Sequence, residues 1–258
     1  MPNVLKKFVF GGIAAITVSV SGAVALAETA VGSTTESRIL LGFNVNPDGL
    51  ETMLPEKWKP ITLPKGPVAG SNLIVALIDR HLILDANSEP ADPPSGPIAA
   101  LLAYGVKEGE KGVRAFVTRV YEETPLVDPY GNSALADIDR RSAFVDLGGG
   151  DRQQTEKWSI RPAAGGEVTF DFNFKVGAMN WSTGGESRPY SSKDPEFFRI
   201  YRYDQLAGLV MNELAGKALD GSAAVAVSDP EMGAIFDGTE KLVSIITIPV
   251  YLRTISLP

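Results

Sequence analysis

Leu40-Leu41-Gly42-Phe43-Asn44-Val45-Asn46-Pro47-Asp48-Gly49-Leu50-Glu51-Thr52-Met53-Leu54-Pro55-Glu56-Lys57-Trp58 changes character twice. It opens as an apolar run and breaks into a turn at Asn46-Pro47-Asp48-Gly49, residue types that favour turns. A single helical turn follows and ends at Leu54-Pro55. We read a strand feeding a turn and a short helix, and take the rest of the chain outward from it.

Upstream lies a second signal. Lys6 and Lys7 form a basic start, residues 8–20 are apolar and small, and Ala25-Leu26-Ala27 fits an A-x-A cleavage site before Glu28. This pattern is that of a secretory signal peptide, residues 1–27, cut after Ala27. The rival reading is an uncleaved anchor. A span needs about 20 apolar residues, and Gly11, Gly12, Thr17, Ser19, Ser21 and Gly22 weaken this one. The signal resembles a bacterial one, so a periplasmic or secreted location is expected, with no stable membrane anchor after cleavage. Residues 28–37 are small and polar and are expected to be a flexible segment. Residues 38–258 are then a single domain, a size common for one β-barrel.

The chain has no cysteine, so an exported form has no disulfides and relies on its core. Its net charge is −7, and cleavage would remove two lysines and no acid. An acidic chain argues against nucleic acid, whose phosphates call for basic patches, and against anionic lipid. The plainer meaning of the charge is solubility.

Strand signals recur along the chain. Residues 38–45 read as a strand, and residues 71–84 as one or two, centred on Leu73-Ile74-Val75-Ala76-Leu77-Ile78. Residues 98–106 and 113–121 flank a charged, Gly-bearing loop and read as a hairpin. Residues 122–150 are the least regular part. Residues 158–161 and 168–176 read as a second hairpin turned at Ala163-Ala164-Gly165-Gly166. There Val168, Phe170, Phe172 and Phe174 alternate with Thr169, Asp171, Asn173 and Lys175. Residues 197–203 read as a strand. Residues 204–218 read as a short helix, with Leu206, Leu209, Val210 and Leu214 on one side. Residues 223–227 and 242–252 are the last strands. Many short strands with few helices give an α+β, mostly β class and a closed or nearly closed antiparallel sheet.

The opening stretch resembles the start of acetoacetate decarboxylase-like proteins, where a strand leads into a "TDPE-x-L-x-x-x-LPE" element at the mouth of a ligand-holding β-barrel. Gly221-Ser222-Ala223-Ala224-Val225-Ala226-Val227, then Asp229-Pro230 and a later apolar strand, is similar to the family's closing strands. The resemblance implies an antiparallel β-barrel with a few short helices and a cavity. It also leaves a homo-oligomer open, since oligomers are common in that superfamily.

The departures bear on chemistry. The decarboxylases place a substrate-holding arginine just before the "TDPE" element, and the matching position here is Asn44, or else Val45. They form a Schiff base on the first lysine of "GRE-x-x-G-x-PKK", activated by the lysine beside it. The region that should hold this motif, residues 128–141, contains no lysine. Arg140-Arg141 cannot substitute, because a guanidinium stays charged and is no amine nucleophile. The family's decarboxylation is therefore not expected.

Other candidates have plainer roles beside the chemical ones. His81 is the only histidine; no G-x-S-x-G elbow accompanies it, so a strand-edge role is expected. One histidine and no cysteine argue against zinc, and no metal or other cofactor is expected. The acids from Asp85 to Asp92 approach calcium-loop spacing, but Pro90 and Gly96 stand where that loop needs glycine and glutamate. On 168–176 the polar face is expected to meet water. The alternative turns it inward and makes Lys175 a weak catalytic candidate, activated by burial. In Phe197-Phe198-Arg199-Ile200-Tyr201-Arg202-Tyr203, alternation sets Arg199 beside aromatic rings, an anchor for a carboxylate or flat ligand. Its plainer role is arginine stems covering aromatics.

The expected function is binding of a small, partly apolar, anionic organic molecule. Arg199 would hold the charge, Tyr201 and Trp181 would be walls, and Asn44 completes the ligand-binding candidates. Two alternatives stand beside it: an enzyme of lyase or hydratase type on an oxo acid, and a structural or partner-binding envelope protein with a filled barrel.

Overall fold

The computed structural model describes residues 27–124, 128–149 and 151–258. The expected signal peptide lies outside them except for Ala27. Thirteen strands and one helix follow in order among the described residues: β1 Thr29–Asn44, α1 Pro47–Glu51, β2 Trp58–Pro60, β3 Leu73–Asp85, β4 Gly96–Lys107, β5 Arg114–Glu122, β6 Ser133–Gly148, β7 Asp151–Pro162, β8 Val168–Val176, β9 Asn180–Ser187, β10 Tyr190–Ser191, β11 Ile200–Asn212, β12 Gly221–Val227 and β13 Lys241–Leu257. No described helix is long and apolar enough to cross a membrane.

The strands pair in the order β12-β8-β7-β6-β5-β4-β3-β1-β13-β11-β9, with β10 on β5 and β2 on β4. The expected sheet was antiparallel; the one formed is mixed. β5 meets β6 in parallel at Val120↔Ser133, and β10 meets β5 in parallel at Tyr190↔Phe116. The first parallel join is where the chain passes from a seven-strand wall, β9 to β5, into a four-strand layer, β6-β7-β8-β12. β10 and the bridge between Tyr190 and Phe198 carry the chain from the β5 side of the wall back toward β11.

β3 explains why so apolar a run is a strand. Leu73, Val75 and Leu77 join the main core, while Ile74, Ala76 and Ile78 line a cavity on the opposite face. A strand covered on both faces has no polar side to show. The main core is filled from the four-strand layer by Trp158, Ile160, Phe170, Phe172 and Phe174. The period-2 reading of 168–176 holds: the phenylalanines are buried and Asp171, Asn173 and Lys175 are exposed.

The opening turn also forms as read. The Asn46 side chain accepts from the backbone N–H groups of Asp48 and Gly49 at 3.0 and 3.4 Å, capping α1. Leu50 is fully buried, and a Cβ at Gly49 would lie 1.9 Å from the Ala234 carbonyl oxygen. Only glycine lets this turn dock.

Three expectations are corrected. Residues 28–37 are not a flexible segment. β1 begins at Thr29 and pairs there with Leu257 of β13, and from Gly32 with Asp85 of β3. Its polar residues turn toward the polar part of the cavity, so low hydrophobicity did not mean disorder. Residues 204–218 are not a helix: β11 runs through Asn212, held between β13 and β9. Tyr201, Tyr203, Gln205, Ala207 and Leu209 all line the cavity at period 2, and tertiary pairing overrides the helical spacing of the leucines. The irregular stretch 122–150 contains β6, whose outer half is exposed and therefore lacks an apolar signature.

Candidate ligand-binding cavity

The wall wraps a cavity of about 740 Å³. β1, β3, β4, β5, β11 and β13 contribute largely alternate residues, with consecutive ones at Val31–Thr34 and Ile83–Asp85, so most of the lining follows from strand geometry. Much of it is aliphatic: Leu40, Ile74, Ala76, Ala100, Leu102 and Ile246.

The polar part is built on β1. Thr34 and Arg38 line the cavity there, with Glu36 buried between them. Glu36 is fully buried, takes hydrogen bonds from Thr34 Oγ1 and Arg38 Nε, both at 2.5 Å, and lies 2.7 Å from an Arg253 amino group. Burial pushes the Glu36 carboxyl up, but Arg253 and Arg38 outweigh it and hold the carboxyl below the usual range. Arg253 also donates from Nε to Thr34 Oγ1 at 3.1 Å. The two guanidiniums lie over tyrosine rings: Arg38 at 3.6 Å from the Tyr251 centroid and Arg253 at 4.5 Å from that of Tyr201. Tyr201 and Tyr130 share a hydrogen bond of 2.6 Å between their hydroxyls. Burial outweighs the opposing pull of Arg38 and Arg253 and pushes the Tyr251 hydroxyl up to about 12.

A second charged group stands on β3 and β5. Arg80 donates from Nε to the Gly96 carbonyl at 3.0 Å and lies 4.0 Å from Glu122. Burial lowers the Arg80 guanidinium and raises the Glu122 carboxyl, which accepts from Ser133 Oγ at 2.8 Å.

Arg199 differs from these. It lines the cavity, its Nε is buried with no hydrogen-bond partner, and no ion pair engages it among the described residues. Arg38, Arg80, Arg188, Arg199 and Arg253 line the cavity against Asp85 and Glu122, with Glu36 buried behind Arg38 and Arg253, which leaves positive charge in excess. A buried N–H without an acceptor is costly, and a bound carboxylate would relieve it through paired N–H donors.

Of the other candidates read from sequence, Tyr201 and Asp85 line the cavity and the rest lie elsewhere. Trp181 is half exposed on β9 and is not among the lining residues. Asn44, at the end of β1, donates to the Gly70 carbonyl at 3.1 Å and does not line the cavity. Lys175 is exposed and lies 3.4 Å from Asp151, so burial cannot activate it. No lysine lines the cavity among the described residues. His81 is exposed, 3.5 Å from Asp79. Asp85 accepts from the backbone N–H groups of Asn87 and Glu89 and so closes its own turn. Arg38, Arg80, Arg253, Glu36, Glu122, Tyr130 and Tyr251 were missed. Their signal was charge at every second residue inside apolar strands, as in Glu36-Ser37-Arg38 and Tyr251-Leu252-Arg253.

No family model and no curated relative matches the chain. Solved structures do. One is the enduracididine biosynthesis enzyme MppR complexed with pyruvate, 12% identical, with 94% of this chain and 93% of that one covered at a TM-score of 0.54. The same enzyme complexed with the condensation product of pyruvate and imidazole 4-carboxaldehyde matches at 0.53, 12% identical, with coverage of 96% and 95%. An acetoacetate decarboxylase-like enzyme from Sphingomonas wittichii RW1 is 11% identical, with coverage of 95% and 98% and a TM-score of 0.51. The likeness extends over nearly the whole of each chain and establishes a shared fold.

Proposed function

We propose that this chain, whose fold is that of the acetoacetate decarboxylase-like proteins, binds a small, partly apolar organic anion in its cavity and does so without Schiff-base chemistry. The carrying observation is the unpartnered, buried Arg199 Nε beside a guanidinium-rich, lysine-free lining. The solved relatives are enzymes, and fold alone does not transfer their reactions. A Schiff base needs an amine that is neutral and reachable, and the described lining offers none.

The test is Arg199→Ala, measured by calorimetric titration with a carboxylate ligand. Loss of a charge-assisted pair predicts a fall in affinity of about 10- to 100-fold, with an unchanged melting profile. Unchanged affinity would overturn the assignment. Borohydride trapping with a panel of 3-oxo acids checks the chemistry: no lysine adduct is expected, and a mapped adduct would favour an enzyme.

Export belongs to the same reading. A cut after Ala27 spares β1, and the Glu28 carboxylate that follows pairs with Arg202 at 2.6 and 2.7 Å. N-terminal sequencing of protein from the envelope fraction should begin at Glu28; an intact leader there would sink the proposal.

A further inference from the structure

The cavity is far larger than the anion its arginines would hold. About 740 Å³ is the volume of roughly 25 liquid water molecules, and a three-carbon acid would leave most of it unfilled. The charges are also confined to one part. Along β1, Glu36 lies opposite Arg80 and Tyr251, Arg38 opposite Ile78 and Ile248, and Leu40 opposite Ala76 and Ile246. Beyond Arg38 the lining on β1, β3 and β13 carries no charge. Ile74 stands opposite Gly42, four residues past Arg38, which gives about 13 Å of aliphatic wall. Ala76 and Ala100 are direct cross-strand partners in that wall, and their small side chains keep it open.

Resting on the anion-binding reading above, we propose that the ligand is a long-chain monocarboxylate of the fatty-acid class. Its carboxylate lies among Arg199, Arg253 and Arg38, and its alkyl chain runs along Leu40, Ala76, Ala100 and Ile246. A second charged group on the ligand would be left without a partner on the aliphatic side.

The experiment is calorimetric titration of the unliganded protein with butyrate, octanoate, dodecanoate and hexadecanoate, with pyruvate and dodecanol as comparisons. Affinity should rise about fourfold per added methylene until the wall is used up, and dodecanoate should bind at least tenfold tighter than dodecanol. Ala100→Phe, which leaves every arginine in place, should weaken dodecanoate at least tenfold and spare butyrate. Equal affinity for butyrate and dodecanoate, or tighter pyruvate, would overturn the long-chain proposal while leaving the anion reading standing. Dodecanol matching dodecanoate would overturn the anion reading itself, and no binding by any probe would overturn both. The native chain-length series decides the matter even where Ala100→Phe fails to fold.

Discussion

Glu36 shows how a single buried charge can be both foundation and furniture of a site. It neutralises part of Arg38 and Arg253 and fixes their direction. Glu36→Gln strips the counter-charge from a buried cluster, and breaking such a group costs about 3–5 kcal/mol. Urea unfolding at neutral pH should show that loss. The folded Glu36 carboxyl lies below its ordinary value, so its contribution is fully present above about pH 4.3, the unfolded value, and falls away as pH drops through the folded one. The acid side of the stability profile should therefore flatten in Glu36→Gln. Glu122 carries the opposite sign. Its raised carboxyl favours folding while protonated and loses that advantage as pH climbs through the folded value. Among site residues, Arg199 and Tyr201 were legible in the sequence because they stand in a dense aromatic cluster. Arg38, Arg80 and Arg253 were not. Each sits on a different strand, and only the register brings them together.

At the scale of elements, the alternating strand β8 and the hairpins were readable, and the ends of the barrel wall were not. Period 2 is unambiguous where one face meets water, as with the phenylalanines of β8. Phe172 is fully buried, and Phe172→Ala should cost about 3–5 kcal/mol in thermal or urea melts. β1 is harder to read because its first half is polar and mostly half-buried or exposed, with only Thr34 and Glu36 buried. It nonetheless pairs on both sides from Gly32 onward. A chain beginning at Glu28 should melt cooperatively. One beginning at Arg38 loses those pairings and uncovers Arg253, and its circular dichroism melt should broaden or vanish. β11 misled for a different reason: leucines spaced for a helix face were in fact divided between the two sides of a strand.

For the whole molecule, the opening and closing segments were enough to anticipate the fold, though not the parallel join that splits wall from layer. That join depends on a long-range pairing between β5 and β6, about which local patterns are silent. The cavity ties the same distant strands together, so a ligand that fills it must stabilise the molecule as a unit. At a free concentration of 100 times the Kd, linkage adds about 2.7 kcal/mol. For a domain of this size that corresponds to a rise in Tm of about 5–10 °C. A thermal shift series with dodecanoate should show it, and Arg199→Ala should cut it to about half or less at the same ligand concentration.

β3 divides its work residue by residue: Leu73, Val75 and Leu77 belong to the core, Ile74, Ala76 and Ile78 to the cavity. Two independent alphabets are thus interleaved on one strand. Selection can rewrite the letters that face the ligand while the intervening ones keep the scaffold upright. A library confined to Ile74, Ala76, Ile78, Ala100 and Leu102 would retune what the pocket accepts, and conservative members of it should lower the melting temperature less than the same changes at Leu73, Val75 and Leu77.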